Sequence, residues 1–303
     1  MIRRLFGADA NIANRNIGYS KSMSSNEPGL IIILIDQSGS MKNRCGSGSK
    51  QSKAECIASN VNRVLAELCL RNTKDVGGVP QVKSRIDISI FGYGCDADDR
   101  RAVRSAFGGA LDGKSIVKLP DLAQNYLRLG EQGENDKCSI SLPIWVEPKA
   151  IGATPMGAAL SKAAEIAEEW VSTHRTSFPP LILNFTDGEV NDVTPKKLKK
   201  IADCLTSIST DDGAALLFNC HISSGKGDSC MLPSSKDEIP AEVSASLLFD
   251  ISSSLPRLMQ QLARARGFAQ VDDNTRGFAY NIDVTNFIHF LQIGTVGLAG
   301  SLG

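Results

Sequence analysis

The 303-residue sequence predicts an α/β fold: a doubly wound, Rossmann-like, mostly parallel sheet with one antiparallel edge strand and helices on both faces. Short apolar runs at 30–35, 181–185 and 214–220 are typical of strands that are buried on both faces of a sheet. Segments with a helical spacing of apolar residues lie between these runs. This alternation favours right-handed crossovers between parallel strands.

The first third of the chain contains the clearest strand and the clearest helix. Residues 1–28 are polar and rich in Ser and Asn, and we interpret them as an irregular N-terminal arm. The strand at 30–36 leads through the Gly- and Ser-rich stretch 45–50 into a helix over about 51–71, where apolar residues recur every three or four positions. Residues 71–81 are rich in turn formers and predict a connection.

The remaining elements follow from the same two patterns. Alternation of Ile with polar residues over 86–91 predicts a half-exposed strand, which we place at the antiparallel edge of the sheet. Residues 94–150 lack a long periodic segment and are interpreted as an insertion with short strands, one of them at 144–146. Further strands are predicted at 181–185, 214–220, 246–251 and 277–280. Further helices are predicted after Pro155, over 195–208, from about 255 and over 283–291.

Composition and charge exclude several classes of function. Basic and acidic residues number 33 each, and this zero net charge gives no support to binding of nucleic acid or of anionic membranes. No apolar run reaches the roughly 18 residues of a membrane span, and the first residues lack the apolar core of a secretion signal. The eight cysteines are scattered without a Cys-x-x-Cys pair. We therefore expect a cytoplasmic protein with reduced thiols.

The first strand ends in a group of oxygen donors, Asp36-Gln37-Ser38-Gly39-Ser40. Open α/β sheets bind ligands beyond the carboxyl ends of their strands, so one carboxylate and two hydroxyls are offered at that edge. Hard oxygen donors of this kind suit Mg²⁺ or a similar cation. The same string is also compatible with a polar turn in which a serine caps the following helix.

Two further segments carry matching donors. Thr154 precedes a predicted helix start, and Asp187 follows a buried-strand run within Thr-Asp-Gly. Each segment alone has a capping or turn explanation. Together the three segments resemble the metal-ion-dependent adhesion site (MIDAS) of the von Willebrand factor type A (VWA) family. Its five ligand positions are matched, in the family's order, by Asp36, Ser38, Ser40, Thr154 and Asp187.

The resemblance implies a protein-binding module without enzymatic activity. Two carboxylates and three hydroxyls would leave a bound Mg²⁺, with Mn²⁺ or Ca²⁺ as alternatives, under-neutralised and with an open coordination position. In the family, an Asp or Glu of a partner protein completes the coordination shell at that position. No general base lies near the site in the sequence, which argues against catalysis.

The resemblance extends over about residues 29–292 and implies a single VWA domain at 29–295 with a C-terminal tail at 296–303. Because the 94–150 insertion is close to the metal loop in chain order, we hypothesise that it shapes partner specificity. Several phrases are similar to intracellular bacterial members that are associated with tellurium resistance and encoded near a Ser/Thr kinase and a PP2C-type phosphatase. That similarity implies a role in signalling, stress response or defence, with the kinase and the phosphatase as candidate partners. The phrases lie at 36–41, 177–180, 210–213, 217–221 and 287–295.

Two other functions stay open. A metal-dependent phosphohydrolase could use Asp36 as its nucleophile, but haloacid-dehalogenase-type enzymes carry a second acid two residues later, where this chain has Ser38. A vestigial site in a structural subunit is the other alternative, against which five intact ligand positions argue. Two conspicuous phrases are predicted to be structural: 96–99 as a solvated acidic turn, and Cys220-His221 as neighbours on opposite faces of a strand.

Overall fold

The computed structural model describes residues 18–45, 50–96, 98, 100–132, 140–223, 228–282, 286 and 289–290. Eight strands of these residues form one sheet in the order β13-β14-β12-β9-β1-β4-β5, and β6 pairs with β4 on the same side as β5. They are β1 (Gly29–Asp36), β4 (Ile86–Cys95), β5 (Arg101–Ser105), β6 (Val117–Lys118), β9 (Leu181–Thr186), β12 (Leu216–His221), β13 (Cys230–Met231) and β14 (Phe278–Tyr280). The other six strands pair as β2 (Thr73–Val76) with β3 (Val79–Val82), β7 (Arg128–Gln132) with β8 (Ile140–Ile144), and β10 (Ser209–Thr210) with β11 (Gly213–Ala214).

Helices cover both faces of the sheet. The helices are α1 (Lys53–Arg71), α2 (Leu119–Gln124), α3 (Met156–Thr173), α4 (Pro195–Ser207), α5 (Val243–Ile251) and α6 (Arg257–Ala265). Alternate residues of β1 explain the two layers: Ile31, Ile33 and Ile35 pack in the same core cluster as residues of α1, α2 and α6. Leu30, Ile32 and Leu34 pack on the opposite face with α3, α4 and α5. Within the described part of the chain, none of the helices combines the length and the apolar composition that a membrane span needs.

The predicted fold class is confirmed, because β4, β1, β9, β12 and β14 are mutually parallel and β5 forms an antiparallel edge. The placement of the strand at 86–91 was wrong. Strand β4 is parallel to β1 and is buried along almost its whole length. Its polar residues make buried hydrogen bonds: Asp87 Oδ2 accepts from the Trp170 indole at 2.9 Å, and Ser89 Oγ donates to the carbonyl of Ser115 at 2.5 Å. The other carboxylate oxygen of Asp87, Oδ1, is buried without a hydrogen-bond partner. The alternation with polar residues therefore reflects buried hydrogen bonds and not exposure to water.

Three other element predictions need correction. The run 246–251 belongs to helix α5, whose Ala245, Leu248 and Phe249 are buried at helical spacing. The connection at 71–81 contains the hairpin β2–β3, which Gly77 and Gly78 close with φ values of 66° and 82°. The strand predicted at 144–146 ends at Ile144. Of the helix predicted over 283–291, only residues 286, 289 and 290 lie within the described part, and these three are helical.

The described part of the N-terminal segment is docked on the β10–β11 hairpin. The Tyr19 amide donates to the carbonyl of Asp212 at 2.6 Å, and the Tyr19 hydroxyl donates to the carbonyl of Ala214 at 3.0 Å. The Asp212 carboxylate also accepts from the amides of Ser20 and Lys21, at 2.9 and 3.0 Å. Residues 1–17 of the predicted arm and the predicted tail at 296–303 lie outside the described residues.

Helix α1 begins with a capping box at the edge of the sheet where β1 ends. Ser52 Oγ accepts from the Glu55 amide at 3.2 Å, and the Glu55 carboxylate accepts from the Ser52 amide at 2.7 Å. We expect Ser52→Ala to lower the free energy of unfolding by about 1 kcal/mol, as loss of an N-cap usually does. Urea unfolding would measure the change, with Glu55→Gln as a control that can keep the reciprocal bonds. Equal losses in the two variants would contradict the capping role of Ser52.

Candidate metal centre

The candidate ligands are gathered at one edge of the sheet by its topology. Asp36 is the last residue of β1, and Asp187 directly follows β9, the neighbouring parallel strand. Ser38 and Ser40 lie in the loop after β1, and Thr154 lies two residues before α3. Because the carboxyl ends of parallel strands meet at the same edge, the two aspartates that the sequence separates by 150 residues become neighbours.

Asp36 is held rigidly at the base of the site. It is fully buried, and its Oδ1 accepts from the Ser38 amide at 2.9 Å while its Oδ2 accepts from the Thr186 hydroxyl at 2.8 Å. The hydroxyl oxygens of Ser38 and Ser40 lie 3.0 Å apart. One carboxylate and two hydroxyls of the predicted set are thus part of a single hydrogen-bonded loop.

The loop that carries Thr154 is joined to the loop after β1 by backbone bonds. The Gly39 amide donates to the Gly152 carbonyl at 2.8 Å, and the Ile151 amide donates to the Gln37 carbonyl at 2.5 Å. Thr154 itself is buried, and its amide donates to Asn191 Oδ1 at 3.0 Å. The structure therefore places the segment that carries Thr154 directly beside the Asp-x-Ser-x-Ser loop.

Asp187 has one satisfied and one unsatisfied carboxylate oxygen. Its Oδ2 accepts from Lys53 Nζ at 3.2 Å, and its Oδ1 is buried without a hydrogen-bond partner. Its backbone carbonyl accepts from His221 Nε2 at 2.8 Å. Burial lowers the pKa of His221. An orphaned, buried carboxylate oxygen is costly unless a cation or water binds it.

The surroundings of Asp36 disfavour the charged form of its carboxyl group when no cation is bound. Burial raises the pKa of Asp36 to about 6, and repulsion from Asp187 adds to this, while hydrogen bonds from Ser38 and Thr186 oppose it. Burial and the charge on Asp36 also hold the pKa of the Tyr93 phenol well above its usual range. Tyr93 lies opposite Asp36 across the β1–β4 pair, and its hydroxyl donates to Asn184 Oδ1 at 2.9 Å.

The donors present fit a hard divalent cation. Carboxylate and hydroxyl oxygens are the ligand types that Mg²⁺ prefers, and Asp187 Oδ1 still lacks a partner. The described residues contain no group of three or more His, Cys, Asp or Glu side chains that could hold a metal. A cation at this edge would therefore depend on the hydroxyls of Ser38, Ser40 and Thr154 as well as on the two aspartates. That these five residues are metal ligands stays a prediction.

Sequence reasoning missed the residues that support the predicted ligands. Four residues form hydrogen bonds to candidate ligands, and each is distant in the chain from the ligand that it contacts. Lys53 and His221 contact Asp187, Thr186 contacts Asp36, and Asn191 contacts Thr154. Only Thr186 carried a local signal, because it directly precedes Asp187 in the Thr-Asp-Gly phrase.

The two phrases that were predicted to be structural have structural roles. In the acidic turn, the Asp96 carboxylate accepts from the amides of Asp98 and Arg100 and forms an ion pair with Arg104. Cys220 and His221 point in opposite directions, since Cys220 packs in the α1-side core and the His221 ring packs against Tyr280 on the other side.

Comparisons with known proteins yield structural neighbours only. A scan against protein-family models found no match, and no curated protein matches the chain. A von Willebrand factor type A protein from Catenulispora acidiphila is 12% identical, covering 91% of this chain and 44% of that one, with a TM-score of 0.45. The manganese-loaded TRAP protein of Plasmodium vivax is 17% identical, with coverages of 66% and 59% and a TM-score of 0.33. BatB from Bacteroides thetaiotaomicron is 13% identical, with coverages of 74% and 85% and a TM-score of 0.35.

Of these three structural neighbours, the first is named as a von Willebrand factor type A protein, and all three have TM-scores below 0.5. The chain spans less than two thirds of the length of the first two. At such identities and TM-scores, the likenesses carry no argument about the site, its metal or its partners. The chemistry must be argued from the residues themselves.

Proposed function

We propose that this chain is a VWA-type protein-interaction module that binds an acidic side chain of a partner protein in a Mg²⁺-dependent manner. The observation that supports this most directly is the buried pair Asp36 and Asp187, with an unpartnered oxygen on Asp187. Both lie at the sheet edge where α/β folds bind ligands, beside loops that offer neutral hydroxyls. Mn²⁺ and Ca²⁺ accept the same oxygen donors and are alternatives to Mg²⁺.

The ligand chemistry suggests binding rather than catalysis. Three of the five candidate ligands are neutral hydroxyls, so a bound cation would keep part of its charge and attract a carboxylate from outside. The phosphohydrolase alternative needs Asp36 as a free nucleophile. Asp36 is instead fully buried, and both of its oxygens accept hydrogen bonds. We therefore propose a module without enzymatic activity.

The cellular setting is a proposal that rests on the sequence phrases alone. We infer a cytoplasmic, bacterial signalling, stress-response or defence system, in which a Ser/Thr kinase or a PP2C-type phosphatase is a candidate partner. The metal dependence proposed above does not rely on that setting. A kinase or phosphatase with an essential exposed Asp or Glu would meet the chemical requirement.

The proposed function predicts cation binding that depends on Asp187. Calorimetric titration of MgCl₂ into EDTA-treated protein should give saturable binding, and Asp187→Ala should abolish it because one of only two anionic ligands is lost. Asp211→Ala is the matched control, since this exposed aspartate forms an ion pair with Arg175 at the amino end of the sheet. A pull-down of candidate partners with Mg²⁺ or with EDTA tests the second half of the proposal. Chelator-insensitive capture, or equal binding by Asp187→Ala and wild type, would contradict it.

A further inference from the structure

Lys53 is a buried cation that the proposed function does not explain. It is the first residue of α1, yet it is only 3% exposed. Its Nζ lies 3.2 Å from Asp187 Oδ2, and no other ion pair of the described residues has both side chains so well buried. Lysine is almost never fully buried without a specific partner, so this position brings a basic side chain into the candidate site.

The formal charge of the site changes sign when a cation binds and falls to zero when an acidic ligand follows. Without a cation, the charged carboxylates of Asp36 and Asp187 and the ammonium of Lys53 leave one negative charge in excess. A divalent cation would convert this excess into one positive charge. One further carboxylate would then bring the cluster to neutrality. With a neutral residue at position 53, the cation alone would already neutralise the site.

We propose that Lys53 couples cation binding to acidic-ligand binding, so that each strengthens the other; this inference rests on the proposed function. The ammonium contacts one oxygen of Asp187 and leaves the other, the buried Oδ1, without a hydrogen-bond partner. It therefore repels a cation near Asp187 without filling the whole site. The same ammonium attracts an acidic ligand, so at a given acid concentration more of the protein carries that ligand when Lys53 is present. The bound acid raises the apparent affinity for the cation, and by linkage the bound cation raises the affinity for the acid by the same factor.

Replacing Lys53 by Met tests the coupling, because Met keeps the length of the side chain and removes its charge. MgCl₂ titrations would be run in sodium acetate and in sodium chloride at matched ionic strength, with acetate as the carboxylate probe. In chloride, we expect Lys53→Met to bind Mg²⁺ about 10- to 100-fold more tightly than wild type, as loss of a like charge within a few ångströms implies. In acetate, we expect wild type to gain about fivefold in Mg²⁺ affinity. The gain in Mg²⁺ affinity that acetate gives to Lys53→Met should be smaller than the gain of wild type.

Two further variants separate charge from packing. Lys53→Arg retains the positive charge and should behave like wild type, while Lys53→Gln should follow Lys53→Met and replaces it if Lys53→Met does not fold. A role limited to holding Asp187 in place predicts weaker Mg²⁺ binding in Lys53→Met, and that result would overturn the inference. An equal gain from acetate in wild type and Lys53→Met would also overturn it.

The outcomes also distinguish this inference from the proposed function. If wild type binds Mg²⁺ in an Asp187-dependent manner but Lys53→Met shows neither change, only the coupling role of Lys53 is refuted. If wild type binds no Mg²⁺ in either salt, both proposals are refuted.

Discussion

Replacing Asp36 by Asn is expected to make the metal-free protein more stable at pH 8, by about 1–3 kcal/mol, and to remove its response to divalent cations. Burial is the largest reason that the pKa of Asp36 is raised from 3.8 to about 6, and repulsion from Asp187 adds to it. A pKa raised by this amount corresponds to a penalty of roughly 3 kcal/mol on the charged form in the folded state. Asn has the same shape and avoids that penalty.

The sign follows from proton linkage. Because the folded-state pKa of Asp36 lies above the unfolded value, the folded state binds more protons between about pH 4 and pH 6. The contribution of Asp36 to the stability of the metal-free protein therefore falls as pH rises through this interval, and its penalty is complete at pH 8. The difference between Asp36→Asn and wild type should consequently vanish towards pH 4.

Urea unfolding in EDTA at both pH values would measure this difference, with Asp211→Asn as a matched control at an exposed aspartate. Saturating Mg²⁺ should then stabilise wild type by about 2.7 kcal/mol at a hundredfold excess over its Kd, and Asp36→Asn should gain nothing. If Asp36→Asn were less stable than wild type in EDTA at pH 8, the hydrogen bonds of the carboxylate would outweigh its desolvation. That result would remove the argument that the site favours a cation.

The parts of this site that could be predicted from sequence are those encoded locally. Asp36 follows an uninterrupted apolar run, and Asp187 follows a run in which only Asn184 and Thr186 are polar. These two runs form the adjacent strands β1 and β9. Parallel pairing of buried strands then brings both carboxylates to one edge without further information. The choice of candidate ligand loops thus required only short-range patterns and the topological rules of α/β folds.

The parts that could not be predicted depend on contacts between distant segments. Nothing near Lys53 in the sequence indicates that its ammonium is buried against Asp187, because α1 must first pack on the sheet. The burial of the polar residues of β4 also depends on a distant segment, because Asp87 accepts its buried hydrogen bond from Trp170 in α3. A single apolar run such as 246–251 also fits a helix or a strand until the neighbouring layer is known.

Gly94 provides the strictest test of how the two ligand loops are held together. A Cβ atom at this position would lie 2.9 Å from the Gln37 carbonyl oxygen and 3.0 Å from the Ile151 carbonyl oxygen. Those two backbone segments are joined to each other, since the Ile151 amide donates to the Gln37 carbonyl, and the Cys95 amide donates to the Ile151 carbonyl at 3.0 Å. Any side chain at position 94 must therefore separate the Asp36 loop from the Thr154 loop.

We expect Gly94→Ala to weaken Mg²⁺ binding by about 10- to 100-fold, which is typical when support around metal ligands is lost. Its free energy of unfolding should fall by about 1–3 kcal/mol, because the added methyl group meets backbone atoms that cannot rotate away. Gly92→Ala is the matched control, two residues earlier on the same face of β4. The three atoms nearest to its Cβ would belong to the side-chain amide of Gln37, which can adopt another rotamer.

Magnesium titration and urea unfolding of both variants separate the two effects. If Gly94→Ala lost stability but bound Mg²⁺ as tightly as Gly92→Ala, the Thr154 loop would not contribute to the cation site. Greater weakening of Mg²⁺ binding in Gly94→Ala than in Gly92→Ala would instead show that the contact between the two loops positions ligands. Thr154→Ala could then be compared directly with Gly94→Ala. If Thr154 is a metal ligand, the two variants should lose Mg²⁺ affinity to a similar extent.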